Sequence, residues 1–336
     1  MKRKTTPRRT AKKSPLEQLE PLDLSLVTTR QIQSRANKVK LADMATPLSA
    51  SGAERFLESL PNQLKGADLR RFIKLALAAR ARNLPFHWMM GAHVIKVGLS
   101  PIVIDMMKRG IVTGVSFNGA GVIHDLELAF WGGTSEDVQA GLNDGSFGMA
   151  KETGDLFAEA LELSAKKKCG LGHAAGELIR NAKAPNARLS ILAEAARLKL
   201  PATVHVGIGS DIVAQQPSFS GALAGDSSHY DFRLLASVAQ RADKGGVIIN
   251  VGSTSILPEV FLKALTVARN ISLSGSKKKA TTGRIITANF DMIRSYRPTQ
   301  NVVQRPTQRS GAGFEFIGHH EIMIPLLAWG LKGCKP

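Results

Sequence analysis

The sequence has few cysteines and no long apolar segment. Its two cysteines, Cys169 and Cys334, are too few for a disulfide framework or a cysteine-based zinc site, and they fit a reducing compartment. No apolar run approaches the roughly 20 residues of a membrane-spanning helix. The polar, basic start lacks the apolar core of a secretory signal. We therefore expect a cytoplasmic protein without membrane contact.

Acidic residues are also scarce. The chain has 27 Asp and Glu against 45 Lys and Arg, so its net charge is +18. Seven of the cations lie in the first 13 residues, where there is no acidic and almost no apolar residue. We predict that residues 1–20 form a disordered basic tail, which is either simply solvated or makes a weak contact with a polyanion such as RNA. Smaller basic clusters are Lys166–Lys168 and Lys277–Lys279.

What the chain does contain is a series of continuous apolar runs, several of them ending in small residues. Amphipathic segments with helical spacing lie between these runs. Continuous apolar strands are typical of a parallel sheet that is buried on both faces. We predict a helical segment at 21–85, followed at 86–336 by a single Rossmann-like α/β domain with a mostly parallel sheet covered by helices on both faces. The predicted strands are 86–97, 111–117, 201–207, 246–252 and 285–289, with a long loop at 208–228 and irregular chain at 298–313.

The most informative stretch is 111–130, where an apolar strand meets the turn Asn118-Gly119-Ala120-Gly121 and an amphipathic helix follows. Such a turn can offer free backbone N–H groups at a helix N-terminus to the phosphates of a nucleotide. His124 stands where a full dinucleotide fingerprint has its third glycine. A tight turn before a packed helix is the alternative interpretation. Similar small turns at 207–210 and 252–254 favour a ligand, because parallel strands end at one edge of a sheet.

Three side chains are candidates for chemistry. His124, in the first turn of the helix, can act as a general base. Asp211 in the long loop and Glu259 after the third small turn can each hold a cationic amine, and Asp226 in the same loop is an alternative to them. No spacing of His, Cys, Asp and Glu matches a metal-ligand pattern, so we predict no metal site.

The order of these motifs resembles that of the deoxyhypusine synthase family over roughly residues 85–295. Residues 91–130 are similar to that family's paired strand, turn and helix units. The segment 246–265 is similar to its later strand and glycine turn, and 285–291 is similar to a strand ending in Thr-Ala.

The resemblance implies a parallel-sheet fold, a homotetramer with active sites between subunits, and NAD as cofactor. The family oxidises spermidine with NAD and transfers an aminobutyl group to a lysine of a translation factor, and a sister activity makes homospermidine. By matching position, the residues expected to contact the cofactor are Ser100, Asn118, Gly119, Ala120, Gly121, Gly252, Ser253, Thr287 and Ala288.

The sequence departs from the family at the reactive positions. Ile123 and His124 replace a pair of acidic residues, and the motif of the imine-forming lysine is not evident. Trp329-Gly330-Leu331-Lys332 is only similar to it. We therefore predict an NAD-dependent transferase or oxidoreductase acting on an amine or polyamine-like substrate. A non-catalytic nucleotide- or RNA-linked binding protein, and an NAD-independent hydrolase or lyase using His124 or His205, are the alternatives.

Overall fold

The computed structural model describes residues 23–47, 49–274 and 283–334. The predicted basic tail at 1–20 and the cluster Lys277–Lys279 lie outside the described residues.

Most of the strands form one parallel sheet. Its order is β5-β3-β2-β6-β7-β8, and a short antiparallel pair, β1 with β4, lies apart from it. In chain order the described strands are β1 (Val39–Lys40), β2 (Phe86–Met90), β3 (Gly114–Asn118), β4 (Gly133–Thr134), β5 (Ala202–His205), β6 (Val247–Val251), β7 (Ile286–Asp291) and β8 (Ala312–Ile317).

Helices cover both faces of the sheet. They are α1 (Ala53–Ser59), α2 (Leu64–Ala81), α3 (His93–Lys96), α4 (Ser100–Lys108), α5 (Gly119–Trp131), α6 (Val138–Asp144), α7 (Lys151–Lys167), α8 (Leu171–Asn181), α9 (Ile191–Leu198), α10 (Gly221–Ala242), α11 (Ile256–Ser274), α12 (Tyr296–Pro298) and α13 (His320–Gly333). Within the described ranges, no helix combines the length and the apolar character that crossing a bilayer requires.

The predicted fold class is confirmed. Successive residues of each strand point to opposite faces, so a strand buried on both faces must be apolar throughout. On β6, Ile249 belongs to the core shared with α2, α5 and α13, whereas Ile248 packs with Phe261 under α10 and α11. The strand order has the 3-2-1-4-5-6 pattern of a doubly wound Rossmann sheet. In this pattern β3 and β5 extend the sheet to one side of β2, and the strands from β6 onward extend it to the other side.

Three local predictions were wrong. The strand predicted at 86–97 ends at Met90, because the backbone of Gly91 packs against Gly252 and the chain turns into α3. The loop predicted at 208–228 ends at Ser220, whose side chain caps α10 by accepting from the Leu223 N–H. The stretch predicted to be irregular at 298–313 forms a π-helix at Thr299–Gln304 and a 3₁₀ turn at Arg305–Thr307, and its last residues begin β8, a half-exposed edge strand.

The N-terminal helical segment packs directly on the sheet. Phe72 of α2 makes edge-to-face contacts with Phe86 of β2, Phe290 of β7 and Phe314 of β8, with ring centroids 6.3, 6.0 and 5.5 Å apart. The division of the chain at residue 85 stays a prediction.

A buried carboxylate joins three elements on one side of the sheet. Asp231 of α10 is fully buried, and its Oδ2 accepts from the N–H groups of Gly172 in α8 (3.0 Å) and Val204 in β5 (2.8 Å). Burial raises the pKa of Asp231 to about 7, although these N–H groups act in the opposite direction.

We expect Asp231 to make the protein less stable as the pH rises from about 4 to 7. The Asp231 carboxyl group keeps its proton to a higher pH in the folded state than in the unfolded chain. Its contribution to the free energy of unfolding is therefore complete below about pH 4 and is lost as the pH rises through 7. Between pH 4.5 and 7.5 the wild type should lose ~3 kcal/mol relative to Asp231→Asn, as measured by urea unfolding. Asp226→Asn, an exposed change on the same helix, is the control. If the free energy of unfolding changed with pH in the same way for the wild type and Asp231→Asn, the raised pKa of Asp231 would be refuted.

Candidate functional site

The two halves of the sheet meet at a pair of glycines. Gly91 follows β2 and Gly252 follows β6, and a Cβ on Gly91 would lie 2.2 Å from the Gly252 carbonyl oxygen. Gly252 itself has a φ of +67°, which disfavours residues with a side chain. In open α/β sheets, ligands bind at the carboxyl ends of the strands where the strand order reverses. The Gly91–Gly252 contact marks this point, which we call the switch point.

The turn after β3 does not offer the predicted free N–H groups. The Asn118 side chain accepts from the Gly121 N–H (3.1 Å). Asp211 accepts from the N–H groups of Gly207 (2.7 Å) and Ala120. A Cβ on Gly119 would lie only 1.8 Å from Asp211 Oδ2, so Gly119 makes room for the protein's own carboxylate. A phosphate at this turn would therefore find the N–H groups of Ala120 and Gly121 already engaged and would lie beside the Asp211 carboxyl group. The predicted contacts of these residues with a cofactor remain untested.

His124 and Asp211, predicted separately, line one cavity of about 160 Å³, which we call the His124 cavity. It lies beside the first turns of α5, and Lys96 of α3 and Ser210 contribute to its wall. Burial raises the pKa of Asp211, against the effect of the N–H groups that it accepts from. Two of the three predicted catalytic residues thus meet in one cavity.

The hydrogen bonds of His124 fix which ring nitrogen carries its proton. Thr134 donates its only hydroxyl proton to Glu127 Oε2 (2.5 Å), so its oxygen must accept from His124 Nδ1 (2.6 Å). Neutral His124 then has an unprotonated Nε2, which has no hydrogen-bond partner among the described residues. A carboxylate, a hydroxyl and an imidazole in this order fix the orientation of the ring, and its unprotonated Nε2 can accept a proton.

The carboxylate at the end of this chain is itself tightly paired. Glu127 is almost fully buried and accepts from Thr153 (2.7 Å), and Arg35 Nη2 lies 2.7 Å from its Oε2. Burial acts to raise the pKa of Glu127, but His124 and the Arg35 charge outweigh it and hold the pKa at about 2. Glu127 is therefore ionised at neutral pH, as the donation from Thr134 requires.

Arg35 comes from a segment that crosses the site, residues 30–40, which we call the strap. The Ile32 N–H donates to Glu152 (2.7 Å), and the Lys38 N–H donates to the Ser135 carbonyl (2.9 Å). Arg35 also lies 3.5 Å from Glu136, which lines the same cavity. No sequence signal pointed to this arginine, because its partners are distant in the chain.

A second and larger cavity, of about 610 Å³, opens between the first turns of α10 and α11. We call it the His205 cavity. Its wall includes His205 at the end of β5, His229 of α10, Glu259 of α11 and Arg297 of α12. Glu259 is therefore in a different cavity from the other two predicted catalytic residues. It is paired with Lys263 and lies 3.4 Å from Arg297, and the Lys263 hydrogen bond lowers its pKa.

Behind His205 runs a chain of buried polar groups across three strands. His87 Nε2 bonds to Ser116 (2.7 Å), Ser116 to Thr203 (2.6 Å) and Thr203 to His205 Nε2 (3.1 Å). Burial, together with His205, lowers the pKa of His87 to about 3, and burial lowers that of His205 to about 4. Both imidazoles are thus neutral at pH 7.

A histidine pair at the switch point was missed from the sequence. His320 Nε2 donates to the Phe290 carbonyl (3.2 Å), so its Nδ1 accepts from His93 Nδ1 (2.9 Å). Burial, followed by the proximity of His320, lowers the pKa of His93. The position of His93, just after the glycine that ends β2, was the available signal. The described residues hold no group of three or more His, Cys, Asp and Glu that could bind a metal ion.

Other predicted positions lie away from the strand ends. Ser100 begins α4 and is fully buried, and Thr287 and Ala288 are buried in the first half of β7. Lys332 lies near the end of α13 in a buried ion pair with Asp105 of α4 (3.0 Å). Since α13 starts beside the carboxyl end of β7 and runs away from it, Lys332 is remote from the switch point.

No protein-family model matches the sequence, and no curated protein matches it. Among solved structures, the chain is similar to a protein from Methanococcus maripaludis S2 provisionally named LOR/SDH, with 14% identity over 86% of this chain and 73% of that one and a TM-score of 0.50. AgrE in complex with ornithine and NAD⁺ has 14% identity and a TM-score of 0.49, and the match covers 86% of this chain and 34% of the AgrE chain. A protein from Entamoeba histolytica provisionally named deoxyhypusine synthase has 9% identity, 84% and 95% coverage and a TM-score of 0.45. At 14% identity, the similarity to the first of these structures shows a shared Rossmann-type α/β fold and no sequence family.

Proposed function

We propose that the protein is an NAD-dependent oxidoreductase or transferase that acts on a small amine. The observation that carries this proposal is the reversal of strand order at Gly91 and Gly252. In doubly wound sheets this is the point at which a dinucleotide binds. Residues that follow the strands line two cavities: Ser255 after β6 belongs to one, and Lys96 after β2 and Ala120 after β3 belong to the other.

The surroundings of the His205 cavity fit a dinucleotide. Its volume of about 610 Å³ lies within the usual range of cofactor sites. The N-terminal end of α11 carries a partial positive charge, and Arg297, which lies 3.4 Å from Glu259 in the same wall, offers a guanidinium group to a phosphate. A Cβ on Gly225 would meet nothing within 4 Å, which leaves this wall open. Of the residues predicted to contact the cofactor, Gly252 and Ser253 immediately precede α11.

The His124 cavity suits the amine. Asp211 can hold an ammonium group, and the free Nε2 of His124 can take its proton. Bound NAD would accept a hydride from the carbon that carries the nitrogen. Since Lys332 is remote from the switch point, we propose amine oxidation and leave the family's lysine-linked transfer out of the proposal. The homotetramer stays a prediction from the resemblance.

The proposal is tested by NAD binding to the full-length protein. We expect heat of binding by calorimetry and a rise in melting temperature with NAD. Arg297→Gln should weaken binding by about tenfold, because one charge-assisted contact to phosphate is lost. Arg188→Gln, an exposed arginine outside both cavities, is the matched control. A wild-type protein that gives neither heat nor a thermal shift with millimolar NAD would refute the proposal.

An NAD-independent lyase or hydrolase is the second candidate. The hydrogen bonds that orient His124 need no dinucleotide, so the same base could serve such a reaction. Turnover of a substrate by protein stripped of NAD, together with its loss in His124→Gln, would favour this candidate. The non-catalytic alternative depends on the basic tail, which lies outside the described residues.

A further inference from the structure

Two charged side chains of the His124 cavity lack a countercharge within the described residues. Asp211 accepts only from backbone N–H groups, and Lys96 takes part in no ion pair. The other charged groups balance one another, since Arg35 lies between Glu127 and Glu136, and Arg30 lies 3.5 Å from Glu136. A ligand in this cavity therefore meets one unpaired negative and one unpaired positive charge.

Much of the rest of the wall is apolar. Ile123 of α5, Phe147 and Ile212 line the cavity beside the charged groups. Its volume of about 160 Å³ corresponds to roughly five water molecules, so the cavity fits a short ligand. Apolar walls and a small volume together select a short ligand with an aliphatic part.

We propose that the His124 cavity binds a short aliphatic α-amino acid in its zwitterionic form. Its ammonium group pairs with Asp211, its carboxylate pairs with Lys96, and its side chain contacts the apolar wall. An ion pair with each end of the ligand restores the charge balance that the cavity lacks. This inference names the substrate class of the proposed function and to that extent rests on it, but the binding itself requires no dinucleotide.

The His124 chain gives the bound amino acid its reactivity. Nε2 can remove a proton from the ammonium group, which leaves a neutral amine with a free electron pair on nitrogen. The positive charge that forms on the imidazole is then balanced through Thr134 by the Glu127 carboxylate. Thr134 and Glu127 are thus positioning residues for this base.

Calorimetry on the full-length protein without NAD tests the binding. L-Valine should bind, whereas isobutylamine, which lacks the carboxylate, and isovalerate, which lacks the ammonium group, should bind at least ~10-fold more weakly. Lys96→Met should reduce valine affinity by about tenfold, and Lys96→Arg should retain most of it. Lys108→Met, another exposed lysine, is the matched control. These lysines are exposed, so the variants should fold like the wild type.

Two outcomes would overturn the inference. One is a wild-type protein to which neither L-alanine nor L-valine binds. The other is equal affinity for valine and isobutylamine, which would show that the carboxylate is not recognised. Valine binding without any NAD binding would refute the proposed function and leave this inference standing. NAD binding without amino-acid binding would refute this inference and leave the proposed function standing.

Discussion

Replacing Arg35 by methionine is expected to lower the free energy of unfolding by about 3–5 kcal/mol. The side chains of Arg35 and Glu127 are only 3% and 1% exposed, and their nearest charged atoms are 2.7 Å apart. Without the guanidinium group, Glu127 must either stay ionised in a dry site or take up a proton. Either alternative costs several kcal/mol, since burial is no longer compensated.

Urea unfolding at pH 7 measures this effect. Lys38→Met is the matched control, because Lys38 lies in the same strap and forms an exposed ion pair with Asp137 of another segment. This pair should contribute less than about 1 kcal/mol to the free energy of unfolding. The double variant Arg35→Met/Glu127→Gln should regain part of the loss, since it removes both charges. The low pKa of Glu127 adds stability that is present above about pH 4.5 and is lost as the pH falls through 2, and Arg35→Met should weaken this dependence, because His124 and Thr134 still lower the pKa. Equal stability of Arg35→Met and Lys38→Met would contradict the assignment.

Gly91→Ala is expected to destabilise the protein by about 3 kcal/mol or more. The new methyl group would lie 2.2 Å from the Gly252 carbonyl oxygen and 2.8 Å from its carbon. Both are backbone atoms, so no side chain can rotate away. Relief requires β2 and β6 to separate, which breaks the Gly91 N–H bond to the Val251 carbonyl (2.9 Å).

The matched control is Gly225→Ala in α10. A Cβ there meets no atom within 4 Å, and alanine is the better helix former, so this variant should be neutral or up to about 1 kcal/mol more stable. Thermal and urea unfolding of both variants compare the effects. If Gly91→Ala and the wild type unfold at the same urea concentration, the close packing at the switch point is refuted.

The sheet could be predicted because its evidence is local. Central strands such as β6 are apolar on both faces, and this pattern is visible in the sequence. By contrast, β8 is half-exposed and follows a stretch rich in Pro, Arg and Gln, so its pattern was too weak. The start of α10 was hidden by Gly and Ser residues, which favour loops unless capping and packing override them. The strand order depends on crossovers that no local pattern encodes.

The candidate site was predicted in part for the same reason. His124 follows a glycine turn and stands out locally, and Asp211 follows another such turn. Their meeting in one cavity, and the insertion of Asp211 beside Gly119, depend on long-range packing. Arg35 and Lys96 complete the charge pattern from other parts of the chain. The partners of a buried charge therefore had to come from the structure.

The strap makes the His124 cavity conditional on a segment that is distant in sequence. The Ile32 hydrogen bond to Glu152 spans 120 residues, so the wall formed by Arg35 exists only in molecules whose strap is docked. The apparent dissociation constant of any ligand that needs this wall equals its intrinsic value divided by the docked fraction. A change at Ile32, which is not part of the cavity wall, can thus weaken binding without removing a ligand contact. Ligand binding would then favour the docked strap, and docking of the strap would favour ligand binding.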